Sequence, residues 1–175
     1  MTTSGMRRKT SALALAGLLA LTGPLWSTPS PGASAGSPLN IPDRTLDMSV
    51  SLEDLARAAA DPGRWQELQG KILLLEGVAA TVMVYADEPH QFYAEIELVG
   101  GAWQGVQEVS LFRAWLVLDD LAFSGRIAQR PPRTPSPGLI QRNTRLVAAV
   151  EPLEVHTQQD GTPVAVVRVL DLRGL

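Results

Sequence analysis

The sequence predicts a mainly β domain: a small closed five-stranded barrel, entered through a short helix. Three observations lead there. At Gly70 the spacing of apolar residues changes from a helical period to a period of two. Beyond that point, five alternating stretches are separated by turn signals. The first of them is long and carries Gly77 in its middle, where a bend would let one strand serve both halves of a closed sheet. A β-sandwich or a half-open barrel satisfies the same strand count.

The 175-residue chain opens with Arg7, Arg8 and Lys9, followed by an uncharged apolar run from Ala12 to Leu21. Ten residues are too few to span a bilayer, which needs roughly 20. They match the apolar centre of a secretory signal peptide, and Ala33-Ser34-Ala35 supplies a cleavage pattern. Residues 1–35 are therefore expected to be a signal peptide and residues 36–49 a flexible leader, with the barrel domain over 50–175. The Arg7-Arg8 pair lacks the apolar residues a twin-arginine signal needs, and Pro24 stands where a lipid anchor requires cysteine. The expectation is export to the periplasm or the outside, with no transmembrane span in the mature chain.

A helix is predicted from Ser51. Ser51 and Asp54 have the spacing of a capping box, and Val50 and Leu55 that of a hydrophobic staple. Leu52, Leu55, Ala56 and Ala59 share one face. Asp61-Pro62-Gly63 is read as the end of the helix. Strands follow at Lys71–Tyr85, Gln91–Val99, Val106–Leu118, Thr144–Val150 (extending past Pro152 to Val155) and Val164–Leu172. Asp87-Glu88-Pro89, Gly100-Gly101 and Asp160-Gly161 supply turns, and a Pro/Arg-rich segment separates the third strand from the fourth.

Gly70-Lys71 through Gly77-Val78 at the head of this run, and Asp160-Gly161 between its last strands, give residues 70–172 a pattern that resembles the OB-fold. The resemblance is one of fold and carries no named family. It implies a Greek-key strand order, and a binding face on the second and third strands and on the loops at one rim. It does not assign an activity.

Composition excludes several classes. No cysteine is present, which rules out disulfides, thiolate metal sites and a thiol nucleophile. Without residues 1–35 the chain keeps twelve basic and eighteen acidic groups, a net of −6. That sign argues against nucleic acid as a partner. Ile72 follows Gly70-Lys71 where a phosphate loop needs Ser or Thr, and neither G-x-S-x-G nor H-E-x-x-H occurs. No cofactor is implied.

Three sets of residues are candidates for function. Alternation places Tyr93, Glu95 and Glu97 on one face of the second strand, and Arg113 and Trp115 together on the third. This ligand-binding set is outward-facing if Ala94, Ile96, Ala114 and Leu116 claim the core. Leu111 and Val117 share the face with Trp115, which favours a cover over it, from the helix or the Pro/Arg segment. Two carboxylates on one strand point the same way and are poor opposing groups for glycosidase chemistry. A Glu–Arg cross-strand pair is the simpler role. His90 with Asp87, and His156 with Asp160, fall in two loops that an OB-like barrel brings to one rim, where a divalent metal could bind. Arg126, Arg130, Arg133, Arg142 and Arg145 lie in a stretch without acids and could meet an anionic partner.

The functional expectation is an exported, non-enzymatic binding or structural protein of the cell envelope, its partner an envelope protein or an anionic polymer. A secreted metal-dependent hydrolase using the histidines is the first alternative. A nucleic-acid-binding OB domain, using the arginines with Tyr93, Trp103 or Trp115, is the second.

Overall fold

The structure is a computed structural model that describes residues 46–105, 108–132 and 138–175. The expected signal peptide, the leader up to residue 45, and Arg133 lie outside the described residues.

The order of elements is β1 (Leu46–Asp47), α1 (Leu52–Ala59), α2 (Pro62–Leu68), β2 (Ile72–Glu88), β3 (Gln91–Gln104), β4 (Glu108–Leu118), a 3₁₀ turn at Leu121–Phe123, β5 (Arg145–Thr157) and β6 (Pro163–Gly174). The five predicted strands are β2 to β6. β1 lies in the stretch read as leader. It pairs in parallel with the start of β2, Leu46 opposite Ile72, and Asp47 binds Lys71 Nζ at 3.2 Å.

α1 starts as its sequence requires. The Ser51 hydroxyl accepts from the Asp54 N–H at 3.1 Å, and the Asp54 carboxylate accepts from the Ser51 N–H at 3.1 Å. The Ser51 hydroxyl also donates to the Asp54 carboxylate, and that bond, followed by the one from the Ser51 N–H, holds the Asp54 pKa below its ordinary value. Leu52, Leu55, Ala58 and Ala59 are the buried face, so Ala58 takes the place expected for Ala56. Asp61-Pro62 does not simply stop the helix; it starts α2. The Asp61 carboxylate accepts from Gly63 N at 2.9 Å and Arg64 N at 3.3 Å, and Pro62 occupies the first turn, where its missing N–H leaves no gap.

β2 to β6 close into a barrel. The first half of β2 runs antiparallel to β5, from Leu73 opposite Val150 to Val78 opposite Arg145. Its second half runs antiparallel to β3, from Val78 opposite Val99 to Glu88 opposite Gln91. β3 pairs with β4, β4 runs parallel to β6, and β6 returns antiparallel to β5. This is the mainly β, OB-like five-stranded barrel the alternation predicted. Ala94, Ile96, Leu98, Ala114, Leu116, Val150, Val167 and Leu172 point inward and are buried. α1 and Leu68 of α2 belong to the same core, so the helices close one end of the barrel.

Gly77 sits where β2 passes from β5 to β3, but for a reason other than a bulge. Its ladder is regular there, opposite Leu146, and the register shifts come later, at Ala79/Thr81 and Val84/Ala86. A Cβ on Gly77 would stand 2.8 Å from Leu98 Cδ1 and 2.9 Å from the Val99 carbonyl oxygen. The glycine permits close approach of two strands at the point where the barrel folds on itself.

Candidate functional site

The register places side chains in rows across the outside of the barrel. One row runs Thr81, Glu97, Trp115, Val166, Glu154 over β2, β3, β4, β6 and β5. The next contains Met83, Glu95, Val117 and Arg168. The result is an apolar strip of Trp115, Val117 and Val166, with Glu95 and Glu97 on one flank and Glu154 on the other. A groove of about 740 Å³ lies over this strip. Leu153, His156, Gln158, Gln159 and Asp160 complete its far wall.

β5 builds that wall because of Pro152. Pro152 pairs with Val167 and Glu154 with Val166, so Leu153 is an extra residue in a bulge. Proline lacks the N–H a regular ladder needs, and a bulge tolerates it. The Leu153 side chain thereby emerges into the groove, and β5 continues through His156 to Thr157. The Asp160 carboxylate accepts from Thr162 N at 2.9 Å, which shapes the turn into β6. That bond is the main reason its pKa is lowered; Arg113 adds a smaller attraction.

The other wall is a carboxylate held by two phenols. Glu95 accepts from Tyr93 Oη at 2.9 Å and from Tyr85 Oη at 3.1 Å. The two rings lie 5.6 Å apart. Burial, followed by the bond to Glu95, pushes the Tyr93 pKa up to about 12, and the same causes raise Tyr85. Glu97 accepts from Thr81 Oγ1 at 2.9 Å and pairs with Arg113 at 3.7 Å. This is the cross-strand Glu–Arg pair expected from the alternation, offset by one row.

The structure brings together Tyr93, Glu95, Trp115, His156 and Asp160 along the groove, with Glu97 and Arg113 beside it. Trp115 is half-buried at the groove floor and not in the core, which corrects, among the described residues, the expectation of a covered face. α1 packs on the inward side of these strands and cannot cover it. The metal set is not assembled. His156 lies in β5 opposite Val164, not in a loop; His90 occupies the β2–β3 turn and does not line the groove. Asp87 is taken by the Ser124 hydroxyl at 2.6 Å. Among the described residues no group of three His, Cys, Asp or Glu side chains could hold a metal ion.

The arginine cluster divides. Arg126 donates to Asp171 Oδ1 at 3.4 Å and to the Leu172 carbonyl, and its guanidinium lies 5.6 Å from the Phe123 ring centroid. Arg145 pairs with Glu76. Arg130 and Arg142 are exposed. Two of the four described arginines therefore hold the barrel's own groups. Sequence reading missed Leu153, Glu154, Gln158, Gln159, Val166 and Tyr85. Pro152 inside a strand was the one local sign that β5 would turn a side chain outward.

No family model matches the chain. The curated proteins likewise contain no match to it.

The groove combines an amphipathic aromatic, an apolar floor and charged rims.

Proposed function

We propose that this chain is an exported, non-enzymatic binding domain of the cell envelope, and that it takes its partner in the groove over β3, β4, β6 and the end of β5. The observation that carries the reading is Trp115. It lies half-buried at the floor of an open groove of about 740 Å³, in the strand pair that OB-like barrels use for binding. A large aromatic flanked by charges, left accessible at the centre of a concave surface, is the anchor that interfaces reuse. Export rests on Arg7–Lys9, the Ala12–Leu21 run and Ala33-Ser34-Ala35. An envelope protein fits the groove better than an anionic polymer, because Glu95, Glu154 and Asp160 line it and, among the described residues, no Lys or Arg does.

Two measurements test the two halves. Fractionation of a bacterium expressing the full chain should find the shortened protein outside the cytoplasm; an uncut chain in the cytoplasm overturns export. A photo-crosslinking residue at Gln159 should capture an envelope component in a Trp115-dependent manner, whereas one at Glu67 on α2 should not. Equal capture from both positions, or capture unaffected by Trp115→Ala, overturns the groove as the binding surface.

A further inference from the structure

The groove carries a charge pattern with a defined spacing. Glu95 and Glu97 stand on β3, Glu154 on β5, and β4 and β6 lie between. Three strand spacings separate the two flanks, roughly 14 Å at about 4.8 Å per step. The strip between them presents Trp115, Val117 and Val166. The charges differ in how far they are already answered. Glu97 has Arg113. Glu95 receives two phenolic hydrogen bonds but no cation, and Glu154 makes no ion pair among the described residues. Asp160 accepts only from its own turn. Arg168, the basic residue on the same outer rows, is held by Asp119 at 3.2 Å. The groove therefore keeps an unanswered negative charge on each side of an apolar strip.

An extended peptide has a matching period. Residues i, i+2 and i+4 of a strand point the same way, and i to i+4 spans roughly 14 Å. A basic residue, an apolar residue two further on and a second basic residue two beyond that would meet the two walls and the floor together. Resting on the proposed reading of the groove as the binding surface, we propose that its partner is an extended cationic segment of the pattern Lys/Arg-x-apolar-x-Lys/Arg, laid across β3, β4, β6 and β5. Charge complementarity selects this occupant. An anionic polymer meets like charge at both walls, and a neutral glycan leaves the charge spacing without a use.

The probe is a capped, fluorescein-labelled peptide with lysines two residues either side of a leucine, serine and glycine elsewhere. Binding to the mature chain is read by fluorescence anisotropy at low salt. The expected result is that replacing both lysines by glutamine weakens binding about tenfold, and that moving both lysines to one side of the leucine weakens it similarly. Glu154→Gln should weaken the lysine peptide by about 2–5-fold, the range for an exposed ion pair. Glu154→Lys should restore binding to a peptide in which one lysine is glutamate. The differences should shrink towards none at about 1 M salt, where the Debye length is roughly 3 Å. Equal affinity for the lysine and glutamine peptides overturns the proposal, as does binding indifferent to Glu154→Lys. If an oligosaccharide or an acidic polymer binds in a Trp115-dependent way while the lysine peptide does not, the cationic occupant is wrong and the groove stands. If Trp115→Ala leaves every ligand's binding unchanged, the groove reading itself fails.

Discussion

Gly77→Ala tests how the barrel closes. The added methyl would stand 2.8 Å from Leu98 Cδ1, 2.9 Å from Leu98 Cγ and 2.9 Å from the Val99 carbonyl oxygen. Ordinary van der Waals separation between such atoms is about 3.5–4.0 Å. Leu98 is fully buried, so its side chain can move only by displacing other residues of the same core, and the carbonyl can move only with the β2–β3 ladder. Two effects oppose each other. Alanine gains roughly 0.5–1 kcal/mol over glycine in a strand through the unfolded chain. Overpacking a dense core costs about 1–3 kcal/mol. The clash wins, and the net loss should be about 1–2 kcal/mol, a drop in melting temperature of roughly 3–6 °C for a domain of this size. Urea unfolding followed by tryptophan fluorescence measures it. A cycle with Leu98→Ala sharpens the test: truncating Leu98 should cost less in the Gly77→Ala background than alone, by about 1 kcal/mol. An unchanged midpoint, or strict additivity, would refute close approach as the reason for the glycine.

Tyr93→Phe should change the alkaline limit of stability. The folded state holds the Tyr93 proton up to a pKa of about 12 against an ordinary 10.0, so stability is full below pH 10 and declines as pH rises towards 12; the variant should show a shallower decline over that window in urea titrations. Arg126→Ala should destabilise by about 1–2 kcal/mol, because it takes a donor from the Leu172 carbonyl and leaves Asp171 with the Leu172 N–H but without its cation; a change in binding to anionic polymers with unchanged stability would return Arg126 to the role of a surface contact. Ser51→Ala should cost about 1 kcal/mol through the lost cap of α1, read from the urea midpoint, and a shift below a few tenths would mean that α1 is held by its core face alone. Glu97→Gln should alter stability by less than about 0.5 kcal/mol, since its partner Arg113 is exposed and 3.7 Å away; a loss above 1 kcal/mol would show a stronger network than the distances allow.

The elements that could be read from sequence are those set by neighbours along the chain. Ser51 and Asp54 satisfy each other within one turn, and the alternation of Ala94, Ile96 and Leu98 against Tyr93, Glu95 and Glu97 needs only the period of a strand. Gly77 lies where β2 changes partners, as expected, but the cause is not local: the atoms that exclude a side chain, on Leu98 and Val99, are brought there by pairing across the barrel. Asp61-Pro62 was read as a stop because the same residues that end one helix begin another: a carboxylate cap and a fixed φ suit a first turn. β1 escaped notice because two residues carry no period. Half of the groove was legible, on β3 and β4. The other half came from β5, and it joins only through the parallel β4–β6 ladder, a pairing between segments some 50 residues apart that no local pattern encodes.

The apolar strip poses a problem that its flanks resolve. Trp115, Val117 and Val166 form an outward apolar surface on a strand pair, the kind of surface that pairs with another copy of itself. Glu95, Glu97, Glu154 and Asp160 stand around it. Two copies meeting face to face would press like charges together across a partly desolvated gap, which opposes self-association. The β3–β4 hairpin tip shows the contrast. There Trp103 is 73% exposed opposite Val109, Leu111 is 65% exposed opposite Gly101, and the Leu111 face meets charges of both signs, Glu76 and Arg145. The groove is walled by charge of one sign, and the face at the tip is not. The carboxylates thus have two consequences from one placement. They keep the strip from its own copies, and they leave it open to a segment of opposite sign.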